Sequence, residues 1–264
     1  MPEGHIVHRL AGIHRDRFGG RPVRVSSPQG RFSDGARLVD GRVFTGAEAL
    51  GKHLLHFYDN ERIVHMHLGI YGVFREQPVP MAPPVGQVRM RMVGAEYGTD
   101  LRGPTRCEVV DEGDLEVLRA RIGPDPLRAD ADPDRAWTRI SRSRSAIGTL
   151  LMDQSVISGV GNIYRAEVLF RQGVDPLRAG RDVSREEWDR IWADLAALMR
   201  VGVADGGIVV VEPEHDHGAP AYAEGKPRTY VYRRAGDPCR VCGTPVLHRE
   251  LSARNLFWCP GCQS

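Results

Sequence analysis

The stretch CRVCGTPVLHRELSARNLFWCPGC, residues 239–262, contains two Cys-x2-Cys pairs, Cys239/Cys242 and Cys259/Cys262, separated by sixteen residues. Each pair can present two thiolates from a tight turn, and Val246–Leu251 and Asn255–Trp258 read as the two strands of a hairpin between them. This is the ligand spacing of a four-cysteine zinc ribbon. A disulfide framework is disfavoured without a secretion signal, and a thioredoxin-like motif needs only one pair. Four thiolates leave no open position for water, so one structural Zn2+ is expected rather than a catalytic one. The fifth cysteine, Cys107, lies in a strand-like stretch and reads as an inert core thiol.

Upstream, Ser184 and Glu187 form a capping box ahead of Trp188, Ile191, Trp192, Leu195, Leu198 and Met199, which marks an amphipathic helix. Two shorter helices are expected at Ala146–Asp153 and Asn162–Arg171, joined by Gln154–Gly161 with its glycines at 159 and 161. Asp and Pro crowd Gly123–Asp134, where strand patterns give way to helical ones. Before it, strands are expected at Pro22–Ser26, His53–Tyr58, Arg62–Met66, Gly72–Arg75 and Gln87–Val93. In the last of these Val88, Met90 and Met92 alternate with Arg89 and Arg91, as in a half-buried antiparallel sheet. The proline-rich Gln77–Gly86 reads as a loop, and Ile6, Leu10 and Ile13 place a helix over residues 4–18 with Glu3 at its dipole-favoured N-terminal end. The expected fold is α+β and multidomain: 1–122, a linker at 123–134, a helical domain at 135–227 and the ribbon at 228–264.

The formal net charge of the 264 residues is only +2, but it is segregated. Residues 1–58, 135–171 and 219–264 each carry +4, while 96–134 carries −6 and 172–218 carries −5. Three basic islands of this kind suit phosphate oxygens. Of the 36 basic residues only Lys52 and Lys226 are lysines. No apolar run approaches the ~20 residues of a membrane span, and the first residues lack a signal peptide's apolar stretch, so a soluble, cytoplasmic protein is expected.

Met1-Pro2-Glu3-Gly4, Gly51-Lys52-His53-Leu54-Leu55, Met152-Asp153-Gln154 leading to Gly159-Val160-Gly161-Asn162-Ile163-Tyr164, and Arg254 ahead of Phe257-Trp258-Cys259-Pro260-Gly261-Cys262-Gln263 occur in that order. Together they resemble the formamidopyrimidine-DNA glycosylase and endonuclease VIII family over the whole chain. The resemblance implies an N-terminal β-sandwich with a leading helix, a helical domain with a helix-two-turns-helix element, and a C-terminal zinc ribbon. Damaged DNA would lie between the lobes of a monomeric, nucleoid-associated bacterial enzyme. Trimming of Met1 would free Pro2 as a secondary amine, the Schiff-base nucleophile, with Glu3 as general acid/base. Lys52 would bind phosphate and assist proton transfer; a lysine is a compact charge able to lose its proton. Arg254 would grip the phosphates flanking the extruded nucleotide, and Asn162, opening a helix, would hold another. Arg121 resembles a phosphate-contacting arginine.

Extruding a base leaves a gap that an apolar wedge must fill. His67-Leu68-Gly69-Ile70-Tyr71-Gly72 matches the family's intercalating loop, making Ile70 and Tyr71 the wedge and His67 a phosphate ligand; a core strand explains the same apolar residues. The oxidised-guanine branch carries Met-Ser-Gly at the wedge and Pro-Arg-Arg-Phe-Gly in a second region. This chain has Ile70-Tyr71-Gly72 and Leu101-Arg102-Gly103-Pro104-Thr105-Arg106 instead, and the resemblance is nearest a second endonuclease VIII type of actinobacteria. The expected activity is a bifunctional glycosylase/AP lyase acting on oxidised pyrimidines by β,δ-elimination. The alternatives are an oxidised-purine glycosylase and a non-catalytic damage-binding zinc protein. Gly206–Lys226, where a lesion-capping loop would fall, follows neither branch. Lys226 reads as a loop residue or phosphate neighbour, and His215 and His217 as part of an acidic loop rather than a second metal site.

Overall fold

The computed structural model describes residues 2–216 and 228–264. Lys226 and His217 lie outside the described residues. The chain divides into two units, Met1–Arg121 and Ile122–Ser264.

The first unit opens with α1 (Gly4–Phe18), β1 (Arg21–Pro22), β2 (Arg24–Ser26) and α2 (Ser33–Val39). It continues through β3 (Val43–Leu50), β4 (His53–Tyr58), β5 (Ile63–His67), β6 (Val73–Pro78), β7 (Val88–Val93), β8 (Tyr97–Arg102), β9 (Arg106–Val110) and α3 (Glu112–Arg121). Two antiparallel sheets form, in the orders β1-β3-β4-β5-β9 and β2-β7-β8-β6. The single strand expected over Pro22–Ser26 is split at Val23, and its halves join different sheets. Strand β7 buries Val88, Met90 and Met92 and turns Arg89 and Arg91 outward, as a period of two requires. Between the sheets lie Phe44, Leu54, Met66, Met90, Met92 and Leu101, with Val7 and Phe18 of α1.

The direction of α1 fixes the site. His14 Nδ1 lies 2.9 Å from His56 Nε2, and Phe18 packs on Phe44, which pairs with Tyr58. Residues 14 to 18 of the helix therefore track residues 56 to 58 of β4, so α1 runs parallel to that strand. Ten residues back from His14 span about 15 Å of helix, and four back from His56 span about 13 Å of strand. The N-terminus of α1 consequently lies at the end of the sheet where β3 turns into β4.

The second unit contains α4 (Pro133–Ile140), α5 (Ile147–Leu150), α6 (Asn162–Arg171), α7 (Arg185–Asp205), β10 (Leu247–Leu251) and β11 (Arg254–Trp258). The helix expected over Ala146–Asp153 is only the single turn α5; beyond it the chain turns toward the connector. Both halves of the capping box are made, Ser184 Oγ accepting from Glu187 N at 3.2 Å and Glu187 Oε2 from Ser184 N at 2.8 Å. Helix α7 ends at Gly206, whose φ of +76° is the left-handed conformation glycine tolerates. Trp188, Ile191, Leu195 and Met199 pack with Ile147, Leu151, Val160, Tyr164 and Val168 in one core.

A second core joins Phe170 of α6 to Tyr230, Val231, Val246 and Phe257 of the ribbon. At its edge the wholly buried Glu167 accepts from Tyr230 N (2.6 Å), Val231 N (3.0 Å) and Tyr232 N (2.9 Å). Burial pushes its carboxyl upward, against the pull of those three donors. Among the described residues no helix is long and apolar enough to cross a membrane.

Candidate active site and metal centre

Glu3 is the N-cap of α1, and its carbonyl accepts from Ile6 N at 3.0 Å. Its side chain is fully buried where the helix dipole favours an anion, and Pro2 beside it is half-buried. At the same end of the sheet, Leu50 pairs with His53 across a two-residue turn, Gly51-Lys52. Gly51 has φ +58°, the conformation the first turn position demands, so the turn carries Lys52 at its tip. His67, the last residue of β5, pairs with His53 in register and belongs to that end too. One end of the sandwich therefore gathers Pro2, Glu3, Lys52 and His67.

The chain then turns through residues 68–72, with Gly72 N donating to Leu68 O at 2.9 Å. Ile70 is 49% and Tyr71 83% exposed, which removes the core-strand alternative. Two large apolar side chains thus protrude beside these four residues.

Histidines missed from sequence line this end. His53 Nδ1 lies 2.8 Å from His65 Nε2, and the His53 and His67 rings are 5.0 Å apart. Burial, then the neighbouring imidazoles, lowers His53 to about 3; burial and Arg106 lower His65 to about 4. His67 is lowered by burial, then by Lys52 and Arg106. Near the start of α1, burial brings His5 to about 4. These rings are neutral at pH 7, and only their abundance in the chain hinted at a cluster.

Arg121, the last residue of α3, is exposed and borders a cavity of about 380 Å³ with His65, Arg106, Glu108 and Asp114. The signs there are mixed. Cys107 is pushed up to about 12 by burial, as an inert thiol should be.

In the second unit Gly161 is the N-cap and Asn162 the first helical residue of α6, so Asn162 is not a cap. Its Nδ2 donates to Asn255 O at 2.9 Å, and its Oδ1 accepts from Arg165 Nη2. A guanidinium only donates and a carbonyl only accepts, so the orientation of the amide is fixed. Fully buried Arg165 also donates to Asn255 O at 3.1 Å and to Gly148 O at 3.2 Å, tying α5, α6 and β11 together. Spacing alone gives no sign of this network, because its acceptors are backbone carbonyls.

Thr149 and Ser252 hydroxyls meet at 3.2 Å, anchoring the hairpin tip. Ser252 and Ala253 form that tip with φ of +52° and +57°, the pair of left-handed residues a tight hairpin needs and one usually given to Asn-Gly. The exposed Arg254 follows at the start of β11, opposite Leu251.

The Sγ atoms of Cys239, Cys242, Cys259 and Cys262 all lie within 4.8 Å of one another, the one such metal-ligating group among the described residues. Cys239 and Cys262 are 3.9 Å apart and Cys242 and Cys259 3.4 Å, against about 3.8 Å for a tetrahedron with Zn–S bonds near 2.3 Å. The donor set suits one structural zinc. His215 Nδ1 is instead 2.9 Å from the Tyr230 hydroxyl.

Residues 1–107 match the formamidopyrimidine-DNA glycosylase N-terminal domain, 122–212 the formamidopyrimidine-DNA glycosylase H2TH domain, and 236–264 the zinc finger found in FPG and IleRS. The chain is 59% identical to Endonuclease 8 1 of Mycobacterium tuberculosis (H37Rv) over 268 residues, covering 100% of both. It is 34% identical to formamidopyrimidine-DNA glycosylase of Xanthomonas campestris (strain 8004), covering 86% of this chain and 84% of that one. The actinobacterial relatives thus bear the number 1, where the sequence resemblance points to a second type. Among solved structures, a mutant of the Lactococcus lactis FPG in complex with DNA containing Fapy-dG has the same fold, with a TM-score of 0.82 at 20% identity and 100% coverage of both chains. With three domain models matched in order and a relative alike over its full length, the chain belongs to the formamidopyrimidine-DNA glycosylase and endonuclease VIII family and is an endonuclease-8-like DNA glycosylase.

Proposed function

We propose that the protein is a bifunctional glycosylase and AP lyase that binds damaged DNA, releases oxidised pyrimidines and nicks the strand by β,δ-elimination. The observation that carries this reading is the convergence of Pro2, Glu3, Lys52, His67 and the protruding Ile70 and Tyr71 at one end of the sandwich. With Met1 removed, the Pro2 nitrogen attacks C1′ of the damaged nucleotide as the bond to the base breaks, the base leaves with a proton, and the sugar ring then opens, C1′–O4′ breaking as O4′ takes a proton. The resulting iminium has no N–H to lose and acts as an electron sink, acidifying the proton on C2′. The buried carboxyl of Glu3 serves as the general acid and base beside the sugar. Loss of the C2′ proton expels the 3′ phosphate, and a second elimination expels the 5′ phosphate. Lys52, His67, Arg121, Asn162 and Arg254 bind phosphates, and Ile70 and Tyr71 fill the gap left by the extruded nucleotide.

Preference for pyrimidines is supported by the wedge, which departs from the oxidised-guanine pattern, and by 59% identity to an Endonuclease 8 against 34% to a formamidopyrimidine-DNA glycosylase. Borohydride should trap the processed protein on abasic-site DNA, and Pro2→Gly should abolish most of the adduct; no adduct from the wild type would refute the lyase reading. Faster release of oxidised guanine opposite cytosine than of thymine glycol would overturn the pyrimidine assignment. For Arg254→Ala, loss of one charge-assisted phosphate contact should slow the final δ-elimination by roughly 10- to 100-fold, more than it slows base release. Product ends on a sequencing gel measure the split, and unchanged ends would remove Arg254 from the elimination step.

A further inference from the structure

Thr105, just ahead of β9, takes no part in the proposed chemistry, yet it touches His67 three times. Its N–H donates to His67 O at 2.9 Å, and its Oγ1 lies 3.0 Å from both His67 O and His67 Nδ1. Gly69 N also donates to His67 Nδ1, at 3.1 Å. A backbone N–H can only donate, so Nδ1 must be the unprotonated acceptor and the neutral ring carries its proton on Nε2. The charged neighbours oppose a second proton: Lys52 from the β3–β4 turn and Arg106 from β9 both disfavour an imidazolium, with the His53 ring of β4 packed against it.

The same segment backs the protruding loop. A Cβ on Gly69, which has φ +65°, would lie 2.3 Å from Thr105 Cγ2, and one on Gly103, at φ +60°, would lie 3.0 Å from Tyr71 O. Residues 103–105 are therefore moulded to the back of the loop whose front exposes Ile70 and Tyr71.

We infer that Thr105 is a positioning residue, which holds the orientation of the His67 ring, whose Nε2–H tautomer the Gly69 N–H sets, and fixes the loop that carries Ile70 and Tyr71. A neutral Nε2–H donates one directed hydrogen bond to a phosphate oxygen, and the wedge enters the duplex at a set distance from it. The roles given to phosphate and wedge rest on the function proposed above; the tautomer does not.

Two measurements test this on the full zinc-loaded protein. Long-range ¹⁵N–¹H spectra at pH 7.5 should show His67 with Nε2 protonated and Nδ1 bare in the wild type and in Thr105→Ser. Thr105→Val, which keeps the methyl packing and loses only the hydroxyl, should keep that tautomer, set by Gly69 N–H, and give a shifted Nδ1 resonance. In single-turnover assays on a thymine-glycol duplex, Thr105→Val should slow base release about tenfold with the half-saturating enzyme concentration changed less than threefold, and Thr105→Ser should restore the rate to within threefold. An Nδ1–H tautomer in the wild type, or a valine variant with unchanged spectrum and rate, would overturn the inference. If the wild type releases no base at all, the proposed function fails separately. The spectra then decide for Thr105: a changed Nδ1 signal in the valine variant upholds its hold on the ring, and an unchanged one overturns it.

Discussion

Cys259→Ser is expected to strip the protein of zinc and unfold residues 239–262 while leaving the sandwich folded. Cys259 is fully buried beneath the hairpin, and its N–H donates to Gln263 Oε1 at 2.9 Å. Gln263 Nε2 in turn donates to Val174 O at 2.9 Å. The ribbon shares a small core with Phe170 of α6, and to that the ion adds a contribution on the order of 10–16 kcal/mol in small zinc modules. Once the hairpin opens, Asn255 no longer offers its carbonyl to Asn162 and Arg165, and Arg254 loses its fixed place at the tip. Metal analysis should find well under one equivalent, amide exchange in the ribbon should become fast, and strand incision should fall at least ~100-fold, the loss expected when two phosphate contacts disappear. A full equivalent of zinc with wild-type exchange would contradict the four-thiolate centre.

The second large effect is acid lability of the first unit. His5 and His65 are lowered to about 4, His14 and His53 to about 3, and His56 well below 6.5, with burial the leading cause in each. All are neutral in the folded protein and would protonate near 6.5 once unfolded. Their contribution to stability is therefore complete above pH 6.5 and is lost as the pH falls toward the folded values. Each histidine adds a slope of about 1.4 kcal/mol per pH unit, so the five titrating together remove roughly 7 kcal/mol within one unit. A domain with a total of about 5–15 kcal/mol should then unfold between about pH 5.5 and 4.5. Amide exchange or near-ultraviolet signals from the sandwich would follow this, and a flat stability profile from pH 6.5 to 4.5 would refute it. Replacing the buried pair, His14→Leu with His56→Leu, removes two of the protons and should reduce the slope by about 2.7 kcal/mol per pH unit.

The two histidines of that pair show where sequence stops being legible. They stand 42 residues apart, and nothing local distinguishes either from the other eight; only the parallel run of α1 along β4 brings their rings together. The ribbon, the capped helix α7 and the alternating β7 were readable because each is specified by spacing within a few residues. Strand β3 was not: Gly46 and a bulge after Phe44 break its alternation. Helix α3 buries only Leu115 and Leu118 among its ten residues, too little for a periodic signal. Pro2, Glu3, Lys52 and Asn162 were readable as motif members, but their geometry depends on long-range features: the direction of α1, the Gly51-Lys52 turn and a buried arginine three residues beyond Asn162.

Glu167 bears on how portable the zinc finger is. The helical match ends at residue 212 and the zinc-finger match begins at 236, so Tyr230, Val231 and Tyr232, the donors to that carboxylate, belong to neither. Treated as an interchangeable part, the finger would be cut out along this seam. The cut would leave the buried Glu167 carboxyl without its three N–H donors and bare a stacked pair, Phe170 on Tyr230, with ring centroids 4.7 Å apart. A chimera that borrows a finger from a relative should therefore bring its own residues from 228 onward together with the helix that carries the glutamate.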